Sequence, residues 1–216
     1  MKKHRSPYSS AFSLLELLTV LTIVSIVLAF SIAAVPKLSI TYSLTHTGDQ
    51  ITDFLTNARQ QAVAKNRSVE VRFYNLKEET DDDLIVTLVQ SVQHIDNGNY
   101  VENSAHIGEL EVEDEKTVYL PSGIGISRNP VYTSFFRTGR TTKGLIRGKA
   151  ANSLPDHPDA TFTGFRFNPD GSTELPAGKW FLTIIPEVAS RRDEPPPNFY
   201  TIQIDPAVGR VRVFRP

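Results

Sequence analysis

From Phe12 to Val35 the chain reads FSLLELLTVLTIVSIVLAFSIAAV, 24 residues that are apolar or small apart from Glu16 and a few hydroxyls. As a helix rising 1.5 Å per residue this run spans roughly 36 Å, enough for a hydrocarbon core of about 30 Å. Thr19, Thr22 and Ser25 recur every third residue on one face, a spacing more typical of helix-packing surface than of lipid-facing surface. Pro36 interrupts the pattern and predicts a kink rather than a stop. Beyond it the apolar period is three to four: Leu44, Ile51, Leu55, Ala58 and Ala62, with Gly48 filling one slot and Asp49, Asp53, Asn57 and Arg59 opposite. That pattern predicts an amphipathic helix ending near residue 66.

At Ser68 the period drops to two. Val69, Val71 and Phe73 alternate with Glu70 and Arg72, which predicts a half-buried strand with its charges in solvent. Leu84 to Val92 reads as a second, more apolar strand, reached through the acidic loop EETDDD at 78–83. Val118 to Ile126 predicts strand, turn, strand. Phe162–Phe167, then Asn168-Pro169-Asp170-Gly171, then Ser172–Leu175 predicts a hairpin. Trp180–Ile185 is a buried strand, and Phe199–Ile204 pairs with Arg210–Phe214 across a loop closed by Gly209. Two long polar loops separate these strands: Ile95–Lys116, rich in acids from Glu109 to Glu115, and Arg128–Lys149, which is basic throughout. Pro195-Pro196-Pro197 marks a third, rigid loop. The expected fold is α+β: a long N-terminal helix packed on a β-rich C-terminal head of antiparallel sheets.

Composition changes this picture little. Net charge is −1 over 216 residues, so no global field points to nucleic acid or an acidic substrate. The chain has no cysteine, which excludes disulfides, thiol catalysis and cysteine-based zinc sites. The leader MKKHRSPYSSA holds Lys2, Lys3 and Arg5 and no acid, which keeps it cytoplasmic and sends everything after Val35 outside. Three readings compete: a secretory signal peptide cut near Ser31-Ile32-Ala33, a plain anchor, or a specialised anchor that is also processed. The apolar run is long for a signal peptide. A plain anchor leaves Glu16 unexplained, at an insertion cost of about 2.5–3.5 kcal/mol.

A basic leader, a small residue and then FSLLELLTVLTIVSIV resemble the class III signal of type IV pilins and type II secretion pseudopilins. The resemblance implies that a prepilin peptidase cuts on the cytoplasmic side between Ala11 and Phe12, that the new amino group of Phe12 is methylated, and that the helix stays in the mature protein. Where the family most often has glycine before the cut, this chain has Ala11. The resemblance also gives Glu16 a role: its carboxylate meets the Phe ammonium of a neighbouring subunit and sets helix register in a filament. Two charges in a low-dielectric setting cost less paired than apart. ITDFLTNARQQAVAKNRSVEVRFY and LPSGI are similar to the minor pseudopilin H and FimT-like minor pilin group. The ending FYTIQIDP…GRVRVF is similar to the prepilin-like Verru_Chthon cassette protein D group.

The domain organisation expected is a cleaved leader at 1–11, a transmembrane helix half at 12–35, an amphipathic half at 36–66 and the head at 67–216. The partners implied are the prepilin peptidase, other pilin or pseudopilin subunits, and the inner membrane with its assembly platform. The location implied is single-pass in a bacterial inner membrane with the head in the periplasm. No enzyme is expected and no cofactor. His4, His46, His94, His106 and His157 share no ligand spacing, and TGRTTKG lacks the spacing of a phosphate-binding loop. Two alternatives stay open. The loop carrying Arg128, Arg137, Arg140, Lys143, Arg147 and Lys149, with Phe135 and Phe136 among them, has the charge and aromatics that hold single-stranded DNA. Against it stands a solvated basic face, or one that docks on an acidic loop. The other alternative is a membrane-tethered exported domain that never polymerises.

Overall fold

The computed structural model describes residues 13–76, 85–94, 112–136, 144–149, 154, 156–189, 194 and 196–216. Side chains at 29–38, 85, 93–94 and 112–115 fall outside that description. Helix α1 (Leu14–Lys65) is one element through Pro36. Two compact units divide the chain, Met1–Ser39 and Ile40–Pro216.

In the second unit α1 buries the face that the sequence marks. Leu44, Ile51, Leu55, Ala58 and Ala62 are buried, joined by Phe54 and Thr47. The helix ends where Asn66 takes a left-handed φ of 51°, and the Arg67 amide closes back on the Ala62 carbonyl. Such a turn satisfies carbonyls that a helix end leaves without partners.

Ten strands follow: β1 (Val69–Asn75), β2 (Ile85–Val86), β3 (Leu88–His94), β4 (Val112–Tyr119), β5 (Ile124–Ser127), β6 (Ile146–Lys149), β7 (Thr161–Phe167), β8 (Trp180–Pro186), β9 (Tyr200–Ile204) and β10 (Val211–Phe214). They form two five-stranded sheets, ordered β4-β3-β1-β7-β6 and β10-β9-β8-β5-β2. Every strand pairing within them is antiparallel.

The predicted single strand over 84–92 is in fact two, because the chain changes sheets at Thr87. It returns after β4, where the Leu120 amide donates to the Thr87 carbonyl at 2.9 Å. The turn between β4 and β5 forms as expected around Gly123, at φ 83°, but it joins strands of different sheets rather than a hairpin. The Asn168–Gly171 turn also forms, and its return arm makes a single bridge, Phe167 to Thr173. β9 and β10 pair as expected, Ile204 opposite Val211. The polar loops are shorter than predicted, since β4 claims residues 112–116 and β6 claims 146–149. The acidic run at 78–83 lies outside the described residues.

One core lies between α1 and both sheets. Inward residues of β8 and β9 (Leu182, Ile184, Ile202, Ile204) meet those of β1 (Val69, Val71, Phe73) and the helix face. Phe135 knits the aromatic part, with ring centroids 5.9 Å from Phe73, 5.4 Å from Phe165 and 5.3 Å from Trp180. Each such side chain contributes about 1.5–3 kcal/mol by leaving water.

The far face of the first sheet overturns a prediction. β1 is buried at all seven positions, Glu70 and Arg72 included. Tyr74, Leu88, Ile146, Leu154 and Phe162 make a second apolar cluster beside those charges.

Tyr200 ties β9 to the helix. Its hydroxyl donates to the Asp49 carboxylate at 2.8 Å and lies 3.3 Å from the Thr52 hydroxyl. Arg215 also donates to Asp49, at 3.0 Å, with its guanidinium 4.5 Å from the Tyr200 ring centre. Burial pushes the phenol above its ordinary value of 10.0; the Thr52 hydrogen bond opposes this and the Asp49 hydrogen bond adds to it. A phenol raised in the fold stabilises it fully below pH 10 and loses that contribution as pH climbs toward the folded value. The thermal midpoint of the detergent-solubilised chain should therefore fall more steeply above about pH 10 than that of Tyr200→Phe. Parallel curves would contradict the assignment.

Candidate functional site: the start of the helix and the basic segment

Ser13 stands immediately before α1, and its hydroxyl oxygen accepts from the Glu16 amide at 3.2 Å. The same amide also donates to the Ser13 carbonyl at 3.1 Å, and Ser-x-x-Glu is the spacing of a capping box. The carboxylate of Glu16 in the first turn also suits the positive end of the helix dipole, by about 0.3–1 kcal/mol at an exposed site. The Ser13-to-Glu16 spacing was visible in the sequence and gives Glu16 a local role besides any intersubunit one. Glu16 is exposed. Ala11 and Phe12 lie outside the described residues.

Along the next three turns each hydroxyl of the polar stripe bonds back to the carbonyl four residues earlier: Thr19 to Leu15, Thr22 to Leu18 at 2.6 Å and Ser25 to Leu21 at 2.7 Å. With its proton committed to the backbone, a hydroxyl can lie in apolar surroundings at low cost. Around the stripe the helix is apolar and open. Leu14, Leu18, Leu21, Ile23 and Val27 are all more than half exposed. An apolar surface this continuous marks an interaction site, with lipid or protein. Among the described residues no helix is long and apolar enough to cross a membrane. The described side chains of the run stop at Leu28, whereas the sequence stays apolar or small to Val35.

Among the described residues, the two aromatics of the basic segment are not presented to a nucleic acid. Phe135 is fully buried and Phe136 is 9% exposed, so neither ring is available to stack on a base. Their charged neighbours in sequence disguised them as loop aromatics. Arg128 is half-buried after β5, while Arg147 and Lys149 are exposed on β6, at the edge of the first sheet. Arg137, Arg140 and Lys143 lie outside the described residues. Among the described residues no three His, Asp or Glu side chains gather where a metal ion could sit.

Arg59, predicted to face solvent, is half-buried instead. Its Nε donates to the carbonyls of Gly171 and Val208, both at 3.0 Å, pinning two turns to α1.

No curated protein matches the sequence. Among solved structures, the minor pseudopilin EpsH of the Type 2 Secretion System of Vibrio cholerae aligns at 9% identity and TM-score 0.44, over 81% of this chain and 98% of that one. The type IV minor pilin FimU of Pseudomonas aeruginosa aligns at 10% identity and TM-score 0.41, over 80% and 92%. Likeness at that level does not fix a function. The N-terminal segment is more specific, because residues 7–32 match the prokaryotic N-terminal methylation motif. That match spans the end of the leader, Ala11, Phe12, Glu16 and most of the apolar run, and by it the chain carries the prepilin-type N-terminal signal.

Proposed function

We propose that the chain is a pilin-like structural subunit, a minor pseudopilin or minor pilin, that a prepilin peptidase cuts between Ala11 and Phe12 and that then joins a filament. The observation that carries this reading is the methylation motif over residues 7–32. The run from Phe12 to Val35 holds the chain in the inner membrane, leader inside and head in the periplasm, until an assembly platform lifts it out. The exposed apolar helix is then surface for lipid first and for neighbouring subunits afterwards. Glu16 pairs with the Phe12 ammonium of a neighbour, and the pairing offsets much of the cost of holding either charge in a dry setting. The role is structural rather than catalytic.

The test is the intact mass and N-terminal sequence of the chain recovered from membranes of cells that make a prepilin peptidase. The expected product begins at Phe12 and is heavier by one methyl group. Glu16→Ala should still insert and be cut, yet be missing from sheared filaments. A start at Met1 would leave a plain anchor, and a start near Ala34 a signal peptide.

A further inference from the structure

The Ile40–Pro216 unit does not spread its exposed apolar side chains evenly. β9 runs along the helix: Tyr200 at its start is held by Asp49, and the turn after its end is pinned by Arg59 through the Val208 carbonyl. The helix therefore names two ends of the unit, one where the chain enters at Ile40 and one near Arg59. Asn198, just before β9, donates to the Thr41 hydroxyl at 3.0 Å, which puts the start of β9 at the entry end. β8 runs the other way, with Ile184 opposite Tyr200, so the short turn Glu187–Ala189 lies at that end too. The turn before β5 joins it, because Ile124 stands opposite Pro186 and the Glu187 amide donates to the Gly123 carbonyl at 2.8 Å. β4 leads into that turn and ends on Tyr119.

Large apolar side chains stand open at this entry end. Val188 is 82% exposed, Tyr42 75% and Tyr119 59%, with Phe214 at 49% and Ile40 at 44%. Phe214 belongs with them because it pairs with Thr201, next to Tyr200. Val131 is exposed partway along β8, where the Thr183 hydroxyl donates to the Tyr132 carbonyl. The Arg59 end shows Asp170 and Arg210 to solvent, and only Val63 and Val208 are apolar and half exposed there. Open apolar residues gathered in this way mark a surface that something covers. The length of chain says what. Tyr42 is seven residues past Val35, about 10 Å along a helix, and the headgroup layer of a bilayer is about 5–8 Å deep on each side. Tyrosine rings suit that depth, with the ring toward lipid and the hydroxyl toward water.

We propose that the entry end of this unit rests on the membrane, with Val188, Tyr119 and Phe214 in the headgroup layer of the leaflet from which the helix emerges. The proposal rests on the reading of Phe12–Val35 as the membrane-held run. The chain has no natural cysteine, so Val188→Cys, Tyr119→Cys and Asp170→Cys can each carry one fluorophore in the full-length chain, reconstituted in phosphatidylcholine vesicles. Phosphatidylcholine bearing a spin label at its headgroup should quench positions 188 and 119 about threefold or more above position 170. Val188→Asp with Tyr119→Asp should lower the quenching of a label at Phe214→Cys by about threefold, whereas Val188→Leu with Tyr119→Phe should leave it unchanged. Thermal midpoints of the same samples show that the fold is intact. Equal quenching at 188, 119 and 170, or quenching indifferent to the aspartates, overturns the proposal. So does a label shielded from an aqueous quencher yet untouched by the lipid one, which would mean that a second copy or another protein covers this end. Alkaline extraction of the same vesicles reads insertion separately. A chain that stays inserted with 188 and 119 unquenched ends this proposal and leaves the membrane-held run standing. A chain that is extracted ends that reading, and this proposal with it.

Discussion

Glu70→Ala should destabilise the Ile40–Pro216 unit by about 3–5 kcal/mol, the cost of breaking a buried ion pair from one side. Glu70 has no exposure and Arg72 has 3%. The carboxylate holds two guanidinium groups at once: Arg72 Nε donates to Oε1 at 2.6 Å and Arg166 Nε to Oε2 at 3.2 Å. Arg72 also sits 4.5 Å from the centre of the Phe162 ring. Burial works against the charge on Arg72, but Glu70 and then Tyr74 outweigh it and hold the guanidinium above its usual range. Removing Glu70 leaves the burial and takes away the leading counter-charge. Glu174 offers the contrast. It reaches Arg166 at 3.7 Å from a side chain 30% exposed, so Glu174→Ala should cost at most about 1 kcal/mol. Replacing Glu70 and Arg72 together with leucine should cost less than Glu70→Ala alone, because the deeply buried Arg72 charge goes with its partner while Arg166, 21% exposed, still has Glu174 at 3.7 Å. Urea midpoints of the four proteins would show it. A Glu70→Ala midpoint near that of Glu174→Ala would mean that water reaches the pair.

That pair also shows where sequence reasoning stops. The alternation Val69, Val71, Phe73 against Glu70 and Arg72 correctly marks a strand and its core face. Alternation says nothing about whether the opposite face will be covered, and here the cover comes from Ile146, Leu154 and Phe162, far along the chain. The helix face from Leu44 to Ala62 was legible because its partners need only be apolar. Arg59 was not, because its partners are two backbone carbonyls in turns more than a hundred residues away. The change of sheet at Thr87 leaves no mark either, since both halves of the run 84–92 are apolar. At the start of the helix the motif was readable as charge, order and spacing together. The capping pair of Ser13 and Glu16 has as plain a spacing and needs only local geometry.

Gly48→Ala should destabilise the same unit by about 2–3 kcal/mol, although this exchange inside a helix ordinarily gains up to about 1 kcal/mol. A Cβ at position 48 would lie 2.2 Å from Cδ2 of Tyr200 and 2.4 Å from two more ring atoms. Contacts that short require the ring to move, and Tyr200 is held at its hydroxyl by Asp49 and covered by Arg215. Helix and β9 must then separate, opening a core where Leu44, Ile51 and Ile202 are packed without exposure above 1%. The glycine is therefore a spacer for an aromatic ring, and the helix accepts its poor propensity for that reason. The prediction carries its own control. With Tyr200→Ala in place the obstacle is gone, and Gly48→Ala should become neutral or stabilising by up to about 1 kcal/mol. A double-mutant cycle on thermal midpoints reads the coupling directly. Should Gly48→Ala raise the midpoint of the otherwise unaltered chain, Tyr200 cannot be packed on the helix as described, and the Asp49–Tyr200–Arg215 tie would fall with it.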